Sequence, residues 1–469
     1  MRTRRVARLS IGAALALAWA GPALGQTTPD AYYDFLIARH LEAMGDTKGA
    51  QTELERAVAE DPRSAEVRAE LAAFHLRREA PDAAEQAGNE ALALNAANSE
   101  AHRVLGMVYA ARADGAGRGQ AAQAVEFVRQ AIAHLERVIE NPAGLADLNL
   151  QYTLGRLYTR SGQTDKAVQA LSRVVGENPG SVQGRLALAQ AYVVGRDMNS
   201  AITTLQEIVE DEPRVAGTLG QFQEQAGRPA DAAESYTKAL AVAPNSRELK
   251  VRRIAALVAA KDFARAADFA GQAQAQHPDD LRFPQFRAHA LLQMGDAPRA
   301  ITVLEPVARA NPNDAATQLS LADLYSTAGR KTDAERTVRQ LITIEPGNAD
   351  ALNYLGYLLA DAGEQLDEAI RLVQRALDIE PNNPNYLDSL GWAYFRRGDY
   401  DQAERYLAPA VQQLPRNSTI QDHMGDILAK RGRWQDAIAA WTRALQGATD
   451  DAGKTVLEKK INDARGKVR

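Results

Sequence analysis

Between residues 349 and 445 the chain repeats itself, and that repeat sets what it can fold into. Three stretches align in one register once a single extra residue near Gln365 is allowed in the first: ALNYLGYLLADAGEQLDEAIRLVQRALDIEPNN, PNYLDSLGWAYFRRGDYDQAERYLAPAVQQLPRN and STIQDHMGDILAKRGRWQDAIAAWTRAL. Each carries a glycine inside an apolar run (Gly356, Gly391, Gly425) and a second glycine seven residues on (Gly363, Gly398, Gly432). Alanine follows in the next run (Ala369, Ala403, Ala437) and again seven further on (Ala376, Ala410, Ala444), with Pro381 and Pro415 closing the first two stretches. Small residues within the runs let two helices approach closely, and the second glycine supplies the left-handed conformation that ends a helix. A helix pair this thin cannot bury its own apolar face, so it must stack on copies of itself. The aromatic share of 6% and the absence of strand-like alternation fit that reading better than a large globular core.

The period of 34 residues, with small and aromatic residues at fixed places, resembles the tetratricopeptide repeat. The resemblance implies an all-α, right-handed superhelical solenoid of about twelve helix-turn-helix units, closed by a capping helix. Carried backwards, the register finds a unit at 31–64 through Gly45, Ala50, Ala57 and Pro62, and another at 65–98 through Ala72, Ala84 and Ala91. The unit that begins at Ser99 is longer by about a dozen residues, because ARADGAGRGQAAQ intervenes before a helix ending near Pro142. That insertion reads as a Gly-rich turn or an extended helix pair; GAGRG is a poor phosphate loop because no strand precedes it. Units at 148–181 and 182–215 follow, then one that shares Pro213 and whose first helix is short by about a turn, then three in step to 348. Pro284 falls in a first helical turn, where it is tolerated, whereas Pro306 and Pro409 fall inside second helices and are expected to kink them. The organisation is therefore 31–142 as N-terminal units with an insertion near 111–123, 148–348 as central units, 349–449 as C-terminal units and 450–469 as a cap.

Residues 1–25 are of a different kind. Arg2, Arg4, Arg5 and Arg8 precede an apolar run from Ile11 to Ala20, and Ala23-Leu24-Gly25 stands before Gln26. A basic start, a short apolar run and small residues at the cleavage positions make a secretory signal peptide. The run is about half the ~20 residues that span a bilayer. Cleavage near Gly25/Gln26 would release a periplasmic or otherwise exported product, by the general or the twin-arginine route. The chain has no cysteine, so disulfides, thiolate metal sites, thiol nucleophiles and a lipid anchor at the cleavage site are excluded. Its net charge of −5 becomes −9 without the four arginines of the leader, which is not the basic footprint of a nucleic-acid binder.

On each first helix, positions two, five, nine and twelve share a face distinct from the packing stripe. The resemblance implies that this face lines a concave groove where peptides bind. In the last three units it carries Asp350, Asn353 and Tyr357, then Asn385, Asp388, Trp392 and Phe395, then Thr419, Asp422 and Asp426, with Arg396 and Lys430 at its edge. Asn353, Asp388 and Asp422 recur at one position and form a ladder that can hydrogen-bond an extended backbone, beside aromatics that offer large contact area. The acidic stripe departs from the family's carboxylate-clamp members and suits basic or neutral extended segments. If exposed, Trp392 and Phe395 can be cut to Ala with weaker binding and little change in melting temperature.

No catalytic residue, metal site or cofactor is expected. The seven histidines are scattered, and a triad would need Ser389 beside His423 across two helices with no oxyanion donors in view. The segments LNYLGYLLAD and LDSLGWAYFRRGDYDQA resemble bacterial envelope tetratricopeptide proteins, among them an outer-membrane lipoprotein adaptor of a carboxyl-terminal processing protease, whose anchoring cysteine is absent here. The expected function is an exported, non-enzymatic scaffold or adaptor for protein or peptide partners, peripheral to envelope complexes, with the protease adaptor as one form of it. The alternative is an assembly scaffold for envelope polysaccharide or secretion machinery.

Overall fold

A computed structural model describes residues 28–449 and 451–468; the leader read at 1–25 lies outside the described residues. Among the described residues the chain is 81% helix with no strand, in 26 α-helices that pair in series. The chain divides into two compact units, 1–227 and 228–469.

The local cause of each pair is visible in its caps. Asn348, Asn383 and Asn417 stand just before the helices Ala349–Ala362, Pro384–Arg397 and Ser418–Lys430, and each side chain accepts a backbone N–H of the first turn. Such a cap is worth about 1 kcal/mol. The first two of these helices end on Gly363 and Gly398 at φ 73° and 88°, and Gly432 at φ 76° follows the third. The turn keeps its left-handed geometry where glycine is missing: Glu79, Arg196 and Lys261 occupy it at φ 56°, 63° and 59°. The extra residue of the 349 unit is absorbed by Gln365, a second left-handed position at φ 46° just before the helix Leu366–Ile379.

Packing explains the rest of the spacing. Ala369, Ala376, Ala403, Ala410, Ala437 and Ala444 are all fully buried. A methyl group added at Gly391 would lie 3.0 Å from the Ala403 carbonyl oxygen and 3.1 Å from Leu407 Cβ, so the two helices of that pair touch through the missing side chain. In the second unit one continuous apolar core runs from Ala232 to Ala464. The first unit has separate clusters, one from Leu105 to Ala191 and others around Phe35, Leu54 and Phe74 and around Ala84 and Val108.

The long unit extends both of its helices, Ser99–Gly115 and Ala121–Ile139, and links them through a 3-10 turn at Arg118–Gln120. A five-residue helix, Pro142–Ala146, follows that no periodicity foretold. Pro306 and Pro409 lie within Ala297–Ala310 and Tyr400–Gln413, which run on past them. The helix after Pro213 is Ala216–Gln225, short as expected, behind a 3-10 turn at Pro213–Val215. The last helix, Asp451–Arg465, buries Leu457, Ile461 and Ala464, while Val456 turns outward at 53% exposure.

Candidate functional site

The first helices Ala349–Ala362, Pro384–Arg397 and Ser418–Lys430 lie side by side in the second unit and bring most of the ladder residues into one strip. Asp388 is buried, and its Oδ1 meets His423 Nδ1 of the next first helix at 2.8 Å. The His423 ring stacks on Trp392, with centroids 4.2 Å apart and planes 16° from parallel, and Trp392 stacks in turn on Phe395 at 4.9 Å and 20°. Phe395, Trp392 and His423 thus form a three-ring stack with a buried carboxylate behind its inner end. Trp392 and Phe395 are half-buried and pack against the core, so alanine at either position is expected to affect stability as well as binding.

Two polar atoms in this strip are buried without partners: the acceptor Asn353 Oδ1 and the donor Trp392 Nε1. Tyr357 lies half-buried on the Asn353 helix, its phenol pushed up by burial and then by the charges of Asp361 and Asp388. Asn385 is exposed at the start of its helix, where its backbone N–H donates to Asn383 Oδ1. Arg396 Nη1 donates to the Asp361 carbonyl at 2.5 Å and holds its guanidinium 5.8 Å over the Trp392 ring. Lys430 is exposed at the far edge.

The acidic character read from the sequence is largely taken up inside the protein. The exposed Asp350 accepts the Tyr386 hydroxyl at 2.5 Å; burial and then this bond raise the Tyr386 phenol. Asp422 and Asp426 both bind Lys460 Nζ from the cap helix, at 2.6 and 2.9 Å, and Asp426 Oδ1 also accepts Trp441 Nε1 at 3.1 Å. Burial raises the Asp426 carboxyl even against the pull of Lys460. The cap therefore places a lysine across the last rung of the ladder. With Asp388 on His423, no carboxylate of the strip except those at its rim is free of an internal cation or donor.

Sequence reasoning weighed His423 only as a triad member and missed its pairing with Asp388, and it missed Lys460. His423 lies 35 residues after Asp388, one period plus one, which sets the two across adjacent first helices; that signal was available in the numbering. Lys460 had no such signal, because the cap falls outside the register. The Ser389 hydroxyl is engaged within its own helix, donating to the Asn385 carbonyl at 3.0 Å. Among the described residues no group of three or more His, Asp or Glu is placed to hold a metal ion, and no helix is long and apolar enough to cross a membrane.

The same helix positions build a second concavity in the first unit. Tyr152, Arg156 and Thr159 of Leu148–Ser161 and Gln183, Leu186 and Gln190 of Val182–Val194 line an open cavity of about 740 Å³. Arg156 and Arg160 share Asp114 there, at 3.0 and 3.4 Å.

Comparison with known proteins places these features in a family. Tetratricopeptide repeat models match residues 41–111, 148–191, 186–343, 319–384, 372–405 and 389–452, leaving 1–40, 112–147 and 453–469 unmatched. The TPR repeat-containing protein PA4667 of Pseudomonas aeruginosa is 27% identical over 211 residues, 44% of this chain and 35% of that protein. Cellulose synthase operon protein C of Xanthomonas axonopodis pv. citri is 31% identical over 170 residues, 34% of this chain and 11% of that protein. The chain thus spans about a third or less of the length of these curated relatives. Among solved structures, yeast Tom70 aligns with a TM-score of 0.45 at 13% identity, over 93% of this chain and 96% of that one.

Proposed function

Because the chain belongs to the tetratricopeptide repeat family, we propose that it is an exported, non-enzymatic scaffold that holds an extended segment of a partner protein against its last three first helices. The observation that carries this reading is the pair of orphaned polar atoms, Asn353 Oδ1 and Trp392 Nε1, beside a half-buried aromatic stack. A buried donor or acceptor without a partner costs about 1–3 kcal/mol. An extended backbone supplies both complements, a carbonyl for the indole N–H and an N–H for the amide oxygen. Because Asp388, Asp422 and Asp426 already have internal partners, a neutral segment with apolar side chains suits the strip better than a basic one.

Trp392→Phe tests the reading with less disturbance of packing than truncation, since it keeps an aromatic ring in the stack while removing the donor together with the smaller ring that carries it. Binding of the partner is expected to weaken by about two- to tenfold with the melting temperature almost unchanged. A photo-crosslinking residue at Asn385 supplies the partner, with one at Gln413 on a second helix as the control. Equal capture at the two positions would sink the proposal. Export is tested separately by fractionating cells that carry the chain with and without residues 1–25.

A second reading, an assembly scaffold for envelope polysaccharide or secretion machinery, is supported by the 31% identity to a segment of a protein named for a cellulose synthase operon. The protease-adaptor form rests on the resemblance of the C-terminal segments alone. The identity of the Asn385 crosslinks separates them: polysaccharide-synthesis or secretion components favour the scaffold, and a protease or its substrate favours the adaptor.

A further inference from the structure

The long unit holds a pair of histidines that the peptide-binding reading does not use. His102 lies on Ser99–Gly115 and His134 on Ala121–Ile139, and their Nδ1 atoms stand 2.9 Å apart. Only one proton fits between two nitrogens at that distance. His102 Nε2 lies 3.0 Å from the Ala96 carbonyl, which can only accept, so that nitrogen carries a proton. In the neutral His102 ring Nδ1 is then a bare lone pair aimed at His134. A backbone carbonyl on the far nitrogen is also the outer contact that orients metal-ligating histidines. Both rings are half-exposed, and Tyr109 backs His134 as a wall, with ring centroids 5.8 Å apart and planes 21° from parallel.

We infer that His102 and His134 form a two-imidazole site for a divalent late transition metal, zinc or copper. With metal–nitrogen bonds of about 2.0–2.1 Å, two coordinated nitrogens stand about 2.9 Å apart at a right angle and about 3.3 Å apart at the tetrahedral angle. The observed spacing meets the first value and lies a few tenths of an ångström below the second. On binding, the proton on His134 Nδ1 moves through solvent to its Nε2, and the ion sits off the line between the two Nδ1 atoms, with both rings rotating until their lone pairs converge on it. Imidazole favours copper over zinc, and among the described residues no carboxylate joins the pair to make a third ligand, which disfavours calcium and magnesium.

Since the described residues offer no three-ligand group, water completes the coordination and the ion exchanges readily. Binding would join the two helices of the unit whose link is lengthened by the 3-10 turn. A ligand that binds only the folded state stabilises it by mass action, so the metal should raise the melting temperature of the first unit.

The test is titration of the full chain with zinc or copper ions, read by calorimetry and thermal melts, with the same titration of His102→Gln, His134→Gln and His289→Gln. His289 is exposed and far along the chain, so it serves as the control. One ion per chain is expected to bind, with affinity weakened roughly tenfold or more in each of the first two variants and unchanged in the third. The copper-loaded chain should show two equatorial nitrogens by electron paramagnetic resonance. Should either variant fail to fold, carbethoxylation of the unaltered chain decides the matter: metal should protect His102 and His134 while His40 and His289 react as before. No saturable binding, affinity unchanged in both variants, or protection spread over all histidines would each overturn the inference. None of these outcomes depends on the peptide-binding reading.

Discussion

At the scale of single residues, the candidate site depends on one buried pair. Removing His423 would leave the buried Asp388 side chain without its hydrogen-bond partner, so His423→Ala should cost about 1–3 kcal/mol in denaturant unfolding, and replacing both residues with apolar ones should cost less. Trp392 is coupled to the same pair through its stack. Trp392→Ala should lose about 2 kcal/mol together with binding, in contrast to the phenylalanine variant. Sequence reading located the ring because its spacing marked a helix face, but spacing does not say whether such a face is open or covered by the neighbouring helix. The histidine pair of the first unit carries a pH prediction. The His134 imidazole lies below its ordinary 6.5, so between that value and its folded one the unfolded chain binds a proton that the folded protein refuses. Stability is then full above about pH 6.5 and falls as pH drops through the interval, and His134→Asn should flatten the slope in thermal melts across that range.

At the scale of helices and turns, the glycine and alanine spacing was legible because each position answers one local demand. The seventh-residue glycines met a left-handed turn, and the same turn survives at Glu79, Arg196 and Lys261, where a side chain must tolerate it. Changing any of these three to Gly should stabilise the protein by about 0.5–1 kcal/mol, an increase visible as a higher denaturant midpoint. Gly391→Ala should act oppositely, since its methyl group meets a backbone carbonyl that cannot step aside; overpacking of this kind costs about 1–3 kcal/mol. The cap was legible as a helix but not in its contacts. Its apolar residues are few, so no pattern announced that Lys460 would reach Asp422 and Asp426. Burial opposes the charge of Lys460, but the two carboxylates outweigh it and raise the ammonium above its ordinary value. That contribution is complete below about pH 10.5 and is lost as pH rises through the folded value.

For the molecule as a whole, the decisive property is that each helix pair touches little beyond its neighbours. Stability in such an array is close to a sum of intrinsic terms and nearest-neighbour interfaces, so a local lesion should fade with distance along the stack. The second unit is the place to test this, because one apolar core runs through it without a break from Ala232 to Ala464. That continuity could make the unit respond as one body, or the thinness of each contact could confine the damage. The contacts favour confinement: Pro384–Arg397 packs extensively on the pairs on either side and not on Arg247–Ala259 or Phe263–Gln276. Hydrogen exchange on the Gly391→Ala chain should therefore speed up in Ala349–Ala362, Leu366–Ile379 and Ser418–Lys430 and remain unchanged in Arg247–Ala259 and Phe263–Gln276. Faster exchange spread evenly over all of these helices would mean that the continuous core, and not the nearest neighbour, sets the cooperative unit.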